Sequence, residues 1–412
     1  MWHVRALLVA ENLPWPAPGG GLIRLARAIE AVASVAELDL FACVDPRRSD
    51  VAVPPEVPLH RWTAVPYPQA PHPLRWRTSW LAHGDLPLDV SMLQSDATPR
   101  RALAEWAVPP YDVVWVSTAA MYEWVGRPSL GPTIVDLMDL EDVKASQRAE
   151  LLAASGGALP PLADFRRRVA VWQARRNARG WSRLQRLVAE RVERVVLCTE
   201  LDVARSGLPG AVAVPNTYPR PAEPAGSGRP TRPPVVLLQG SLHYPPNMDA
   251  ARWLVEEIVP RLRRRIGELE VRLVGTASTG VKLLHDPPTV HVVGRVPAIE
   301  PELARASVAV VPVRYGSGTR VKILESFAHR VPVVSTTLGA EGLDVCDGEH
   351  LLLADDPDEF ASAVCRVLGD DRLRTRLVEA AEERYTERYR PSAAEERIRR
   401  LVRDVARAST RS

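Results

Sequence analysis

The stretch Arg314-Tyr-Gly-Ser-Gly-Thr-Arg-Val-Lys-Ile-Leu-Glu325 sets two glycines, several cations and one carboxylate within twelve residues. The apolar run Ser307-Val-Ala-Val-Val-Pro-Val313 precedes it and Ser326-Phe-Ala-His-Arg330 follows, which predicts a buried strand, a glycine turn and then a helix. Gly316 and Gly318 allow backbone N–H groups to face an anion, and the helix N-terminus adds partial positive charge at the same spot. Arg320 and Lys322 stand beside that seat. About two turns further along the helix, roughly 9 Å at 1.5 Å per residue, Glu325 can accept hydrogen bonds from sugar hydroxyls. A phosphate seat with a carboxylate at that distance suits a nucleoside diphosphate. The plainer alternative is a glycine turn followed by a helix on which Lys322 and Glu325 pair at the surface at i, i+3.

Other elements must hold such a seat. Strand-like runs recur over 235–238, 269–274, 289–293, 307–313, 331–336 and 350–353, with helical patterns between most of them, notably 249–265 and 300–306. Alternation of this kind predicts a doubly wound parallel sheet. Several of the strands end in glycine or a small polar residue, at Gln239-Gly240, Gly275-Thr276, Gly294-Arg295 and Ser335-Thr-Thr337, and those ends should line one crevice. Asp355-Asp-Pro-Asp-Glu359 reads as a helix cap rather than a metal site.

The N-terminal half opens with the apolar run Val4–Val9, and Gly19, Gly20 and Gly21 lie where this strand would pass into the helical pattern starting at Leu22. A ligand-binding junction and a flexible Pro/Gly loop are both open readings of those glycines. Further strands are expected over 37–43, 111–117, 133–139, 195–198 and 211–215, whereas residues 54–110, rich in Pro and Trp around Arg75-Trp-Arg-Thr-Ser-Trp80, read as irregular or partly helical. The acids Asp136, Asp139, Glu141 and Asp142 invite a metal hypothesis, but carboxylates here also cap helices and line sugar-binding clefts. Alanine- and arginine-rich helix is expected from about Glu141 to Arg194. Within it, Phe165-Arg-Arg-Arg-Val-Ala-Val-Trp-Gln-Ala-Arg-Arg176 is basic and amphipathic, either a solvated arginine face or a peripheral contact with an anionic membrane surface.

At 412 residues, with 46% apolar and 25% charged residues, the chain suits two domains of about 200 residues each. A net charge of +3 is too small to argue for nucleic acid. Cys43, Cys198, Cys346 and Cys365 form no CxxC or Cys/His cluster, so a reduced, cytoplasmic compartment without structural zinc is the simpler expectation. Neither a signal peptide nor an apolar run of membrane-spanning length is seen. The Pro/Gly-rich segment 219–234 is the best linker, giving an N-terminal domain over 1–218, a second domain over 235–388 and a charged helical tail over 389–412.

Gln239-Gly-Ser-Leu-His-Tyr-Pro-Pro-Asn247, Gly275, Gly294, Pro312, Gly316-Ser-Gly-Thr-Arg-Val-Lys-Ile-Leu-Glu325, Pro332-Val-Val-Ser-Thr336 and Gly339-Ala-Glu-Gly-Leu343 follow one another in an order and spacing that resembles the donor-binding domain of family 4 glycosyltransferases. These are retaining enzymes of GT-B architecture. The resemblance covers roughly 235–388, with thinner support upstream from Gly19–Gly21, Asp136-Leu-Met-Asp139, Thr199-Glu200 and Pro215-Asn216. It implies two Rossmann-like doubly wound parallel-sheet domains facing across a cleft, the N-terminal one for acceptor and the C-terminal one for a nucleoside-diphosphate sugar. It further implies that Glu325 holds the ribose, that Gly316, Ser317, Gly318 and Thr319 with Arg320 or Lys322 neutralise the diphosphate, and that Arg295 and Val296 border the base. Gly240, His243, Asn247 and Gly275 would complete the donor site, Gly19–Gly21 would close over the phosphates, and Asp136 and Asp139 would lie on the acceptor side. No cofactor and no metal are expected, and sugar, base and acceptor are left open. Many members carry a second glutamate where this chain has Ser317, and an Arg and a Lys where it has His243, Tyr244 and Asn247, which shifts the electrostatic work to Arg320 and Lys322. A sugar-nucleotide epimerase of the same shape and a catalytically inactive nucleotide-sugar-binding protein are the alternatives.

Overall fold

The computed structural model describes residues 4–15, 19–45, 52–69, 85–94, 96–154, 160–225 and 231–409. The chain divides into two compact units, one formed by Met1–Pro215 with Ser392–Ser412 and the other by Asn216–Pro391.

The first unit holds a seven-stranded parallel sheet. Its strands are β1 (Arg5–Ala10), β2 (Glu37–Val44), β3 (Leu59–Pro66), β4 (Val113–Val116), β5 (Thr133–Met138), β6 (Arg194–Leu197) and β7 (Ala211–Ala213), in the order β3-β2-β1-β4-β5-β6-β7. The central strands are buried on both faces, which accounts for apolar runs such as Ala6-Leu-Leu-Val-Ala10. One face packs Leu7, Val9, Phe41, Val114 and Val116 against Trp181, Leu184 and Val188 of the helix over Pro161–Ala189. On the other face, Leu8, Leu38, Leu40 and Trp115 meet Ile29 and Val32 of the helix over Gly20–Ala33.

Three expectations change here. Residues 54–110, read as irregular or partly helical, contain two helices, Leu88–Leu93 and Thr98–Trp106, and also the strand β3, which that reading did not include. As an edge strand, β3 alternates half-buried and exposed residues and has Trp62 outward, so it lacks the continuous apolar signature of its neighbours. Its register is held by Asp39 of β2, whose carboxylate accepts from Arg61 Nε at 2.9 Å and Tyr111 Oη at 2.7 Å and lies 2.8 Å from His60 Nδ1. Burial alone would raise the Asp39 pKa, but these hydrogen bonds outweigh it and lower it. The Trp-rich centre at 75–80 lies outside the described residues. The long helical region splits into Glu141–Ala154 and Pro161–Ala189. Finally, the C-terminal segment is not a free tail, since the helix over Pro391–Ser409 sets Ala394, Ile398, Val402 and Val405 into the same core as Ile29 and Trp115.

The second unit holds six parallel strands, β8 (Val235–Gln239), β9 (Glu270–Val274), β10 (Val290–Gly294), β11 (Val308–Val311), β12 (Val333–Ser335) and β13 (Leu352–Leu353), in the order β10-β9-β8-β11-β12-β13. Strand order reverses between β8 and β11. Chain leaving these two adjacent strands therefore departs to opposite sides and opens a crevice at their carboxyl ends.

Ile398 is buried in the core of the first unit, so Ile398→Ala should cost about 2–4 kcal/mol. The first thermal unfolding transition should move down accordingly, whereas a helix without a packing role would leave it unchanged.

Candidate active site

At the carboxyl edge of the second sheet, the ladder continues past the strands through glycine. Gly240 N–H donates to Val274 O at 2.9 Å and Gly275 N–H to Gly294 O at 2.8 Å. Gly275 has φ of +132°, and a Cβ built on it would lie 1.8 Å from the carbonyl oxygen of Gly240, so no side chain fits there. A cavity of about 450 Å³ opens beside these ends, lined by Thr276, Lys282, His285, Val292, Gly294 and Arg295.

The chain after β8 enters the helix over Pro245–Trp253, whose first turn carries Asn247. Asn247 Nδ2 donates to Ser241 O at 2.9 Å, which orients the amide and leaves Oδ1 to accept from Lys322 Nζ at 2.8 Å. Lys322 comes from the first turn of the helix over Val321–Ala328, after β11, so this bond bridges the crevice at the reversal of strand order. Gly240 leaves room for it, because a Cβ at that position would sit 3.2 Å from the ammonium.

The loop between β11 and that helix is braced from two sides. Arg314 makes a bidentate pair with Asp249, at 2.9 and 2.6 Å, and its guanidinium lies 5.4 Å from the centre of the Trp253 ring. Thr336, which caps the short helix over Thr337–Ala340, donates its hydroxyl to Val313 O. Arg320 folds back over the loop, with Nη1 donating to Ser317 O at 2.6 Å, and a Cβ on Gly316 would meet its guanidinium. Arg320 Nε is buried without a hydrogen-bond partner.

Glu325 follows Lys322 by one turn, and no ion pair joins the two among the described residues. The Tyr218 hydroxyl and the Gln239 side chain stand near the carboxylate instead, and Gln239 Nε2 donates to Lys322 O at 3.3 Å and to Ser326 Oγ at 3.1 Å. Burial pushes Glu325 up to about 7, against the pull of Tyr218, Gln239 and Lys322. Burial, with Arg320 nearby, brings Lys322 down to about 7. The surface-pair reading of Lys322 and Glu325 does not describe this geometry, since both side chains are half-buried and Lys322 is bonded to Asn247 instead.

His243 is exposed, with its ring 3.2 Å from Ser241 Oγ, and Val296 is half-buried next to the exposed Arg295. Ser317, Gly318 and Thr319 are buried in the braced loop, and Asn216 Nδ2 reaches Thr319 O at 3.5 Å. Tyr218 was not among the expected site residues, and Gln239 was expected only as a strand end lining the crevice. Gln239 ends β8 and could have been found by its position, whereas Tyr218, more than a hundred residues before Glu325, left no local signal.

In the first unit, Gly19 is the extended N-cap of the helix over Gly20–Ala33, and open space surrounds the Cα atoms of Gly19 and Gly21. Two expected neighbours separate. Asp136 is buried against Arg24, at 2.8 and 3.0 Å, and Arg24 also donates to Val214 O at 2.7 Å, a structural pairing between helix and sheet. Asp139 instead lines a cavity of about 340 Å³ at the carboxyl ends of β1, β4 and β5, together with Glu11, Asp89, Glu141, Lys144 and the rings of Tyr67, Trp124 and Trp181. Glu11 accepts from Tyr67 Oη at 3.0 Å and from Thr118 Oγ1 at 2.8 Å. Burial raises Asp89 and Glu141, and the charge of Glu11 adds to both shifts.

One group of Cys, Glu and His among the described residues, Cys346, Glu349 and His350, is close enough to share a cation. His350 Nδ1, however, accepts from the Cys346 backbone N–H at 3.1 Å. The ring proton then sits on Nε2, the tautomer opposite to the one a metal requires there.

Residues 233–370, about a third of the chain and all within the second unit, match the family model described as Glycosyl transferases group 1. A curated relative, an uncharacterized 44.6 kDa protein in the cps region of Klebsiella pneumoniae, is 24% identical over 139 residues, spanning 31% of this chain and 36% of that protein. Among solved structures, sucrose-phosphate synthase from Thermosynechococcus elongatus aligns with a TM-score of 0.66 at 18% identity, covering 98% of this chain and 100% of that one. HepE from Anabaena in complex with UDP and glucose aligns at 0.62 and 14%, covering 97% and 99%. WaaG, a glycosyltransferase involved in lipopolysaccharide biosynthesis, aligns at 0.60 and 13%, covering 95% and 98%. At these identities the likeness is one of fold, two Rossmann-like units of GT-B architecture.

Gly275→Ala tests the glycine edge. With a Cβ 1.8 Å from a carbonyl oxygen and a positive φ, the variant should lose about 2 kcal/mol or more of stability in the second unit, read as a lower denaturation midpoint. An unchanged midpoint would show that the close approach is not required.

Proposed function

We propose that the chain is a retaining glycosyltransferase that moves a sugar from a nucleoside-diphosphate sugar to an acceptor nucleophile. The observation that carries this reading is the separation of Lys322 and Glu325, a cation and a carboxylate one helical turn apart, with Lys322 bonded to Asn247 rather than to Glu325 at the reversal of strand order. In this reading the diphosphate lies at the N-terminus of the helix over Val321–Ala328, against Lys322 and the backbone of 316–319. Arg320 turns its unpartnered Nε to the same charge. Glu325 accepts the ribose hydroxyls, and the base enters the cavity beside Arg295 and Val296. As the bond from the sugar to the diphosphate breaks, its electron pair stays on the phosphate oxygen, and these fixed cations and amides stabilise that charge. HepE, a structural neighbour, has been obtained with UDP and with UDP-glucose, which supports a nucleotide-sugar donor here.

Retention of configuration is carried over from the family 4 motif pattern around Gly316–Glu325. The acceptor is assigned to the acid- and aromatic-lined cavity of the first unit, with Asp139 among its walls and Asp136 excluded from them.

Thermal shift with UDP, GDP, ADP and dTDP should reveal at least one stabilising nucleotide, and Glu325→Ala should weaken it by about 1–3 kcal/mol. No stabilisation by any of the four at millimolar concentration would overturn the reading, and unchanged affinity in the variant would remove Glu325 from the ribose.

The pH dependence has a definite sign. Glu325, raised to about 7, becomes the better acceptor as pH rises through that value, so donor affinity climbs. Lys322, lowered to about 7, loses its charge over the same range, so affinity for the diphosphate falls. Affinity for the nucleotide sugar should therefore peak near neutrality, with apparent values belonging to the pair. Glu325→Gln should abolish the acidic limb and Lys322→Met the alkaline one. Tyr218→Phe, by removing a hydroxyl that pulls the Glu325 pKa down, should move the acidic limb to higher pH. A flat profile in the unmodified protein would contradict this assignment.

A further inference from the structure

The helix over Pro161–Ala189 turns Ala174, Ala178, Trp181, Gln185 and Val188 toward the core of its unit. Its opposite line, in steps of three and four residues, carries Leu162, Phe165, Val169 and Trp172, which are 62%, 64%, 37% and 49% exposed. The outward line of a surface helix is ordinarily polar. Four of the eight exposed large apolar side chains of the described residues lie on this one line, so the exposure is a patch rather than the usual scatter.

Cations border the patch. Arg167 and Arg168 share Asp164, and Arg167 also donates to the carbonyls of Leu152 and Ala153, which ties this end to the helix over Glu141–Ala154. Arg166, Arg175 and Arg179 are exposed, and none has an ion-pair partner among the described residues. The line from Leu162 to Arg179 runs roughly 25 Å at 1.5 Å per residue.

We propose that this line is a docking surface for an anionic lipid bilayer, with Leu162, Phe165, Val169 and Trp172 entering the headgroup region while Arg166, Arg175 and Arg179 meet lipid phosphates. Charge selects this occupant. A second copy of the chain, docked through the same patch by a two-fold axis, would bring the arginine lines together, whereas an anionic bilayer neutralises them and receives the apolar side chains at once. The contact is interfacial, since among the described residues no helix is long and apolar enough to cross a membrane.

The test is co-sedimentation of the full chain with phosphatidylcholine vesicles, with and without phosphatidylglycerol. Binding should require phosphatidylglycerol and fall with added salt. Replacing Arg166, Arg175 and Arg179 together by Gln should weaken it about a hundredfold, at about fivefold per arginine. Leu162→Ser with Phe165→Ser should weaken it at least tenfold, with the melting temperature retained because both side chains are more than 60% exposed. No binding to anionic vesicles, or equal binding by the variants, overturns the proposal. So does a concentration-dependent dimer, formed without lipid and lost in the Leu162→Ser, Phe165→Ser protein, since a second copy would then cover the patch.

Discussion

The hydrogen bond from Lys322 to Asn247 spans the point where strand order in the second sheet reverses, and much of the local structure serves to make it possible. Lysine and glutamate at i, i+3 on a helix ordinarily satisfy one another. Here the amide of Asn247, already oriented by Ser241 O, takes the ammonium, while Tyr218 and Gln239 stand near the carboxylate and pull its pKa down. Burying two charges without pairing them costs free energy, and both groups answer by shifting toward their neutral forms. A ligand that offers an anion to one and hydroxyls to the other would relieve that cost, so the arrangement favours such a ligand.

Rigidity around the pair comes from groups that take no part in it. Arg314 is committed to Asp249 and Trp253, so the loop after β11 is fixed at its start, and Thr336 fixes it again through Val313 O. Gly275 and Gly240 bring two strand ends within backbone contact, which keeps that edge free of side chains between Lys322 and the cavity beside β10. Arg314 and Arg320 thus divide labour that the sequence shows only as two arginines near a glycine turn. One is saturated by a carboxylate, and the other keeps a buried N–H without a partner.

What was legible in the sequence follows the same physics. Strands buried on both faces announce themselves as apolar runs, so β1, β2, β4, β5, β8, β11 and β12 could be placed. The edge strand β3 could not, because one of its faces meets water and its stability comes in part from the distant Asp39. The cluster at 316–325 was readable because its residues are contiguous. Tyr218 was not, since nothing in its neighbourhood indicates that the chain brings it to Glu325, and the helix over Pro391–Ser409 looked like a charged tail because only one narrow line of it enters the core.

Asp136 and Asp139 show how little a residue type says about its role. They are three positions apart at the end of one strand, and sequence reasoning treated them alike. A bend intervenes, with Met138 at φ of +58° and its N–H bonded to the Asp136 carboxylate. That turn keeps Asp136 beneath the helix over Gly20–Ala33, where the Arg24 guanidinium consumes both carboxylate oxygens. Asp139 is carried past the sheet edge into a cavity already holding Glu11, Asp89 and Glu141. In that company burial and like charge raise the pKa of the neighbouring carboxyls of Asp89 and Glu141, whereas Asp136 has a neutralising partner in Arg24. The chemical difference between the two acids is therefore set by one left-handed residue between them.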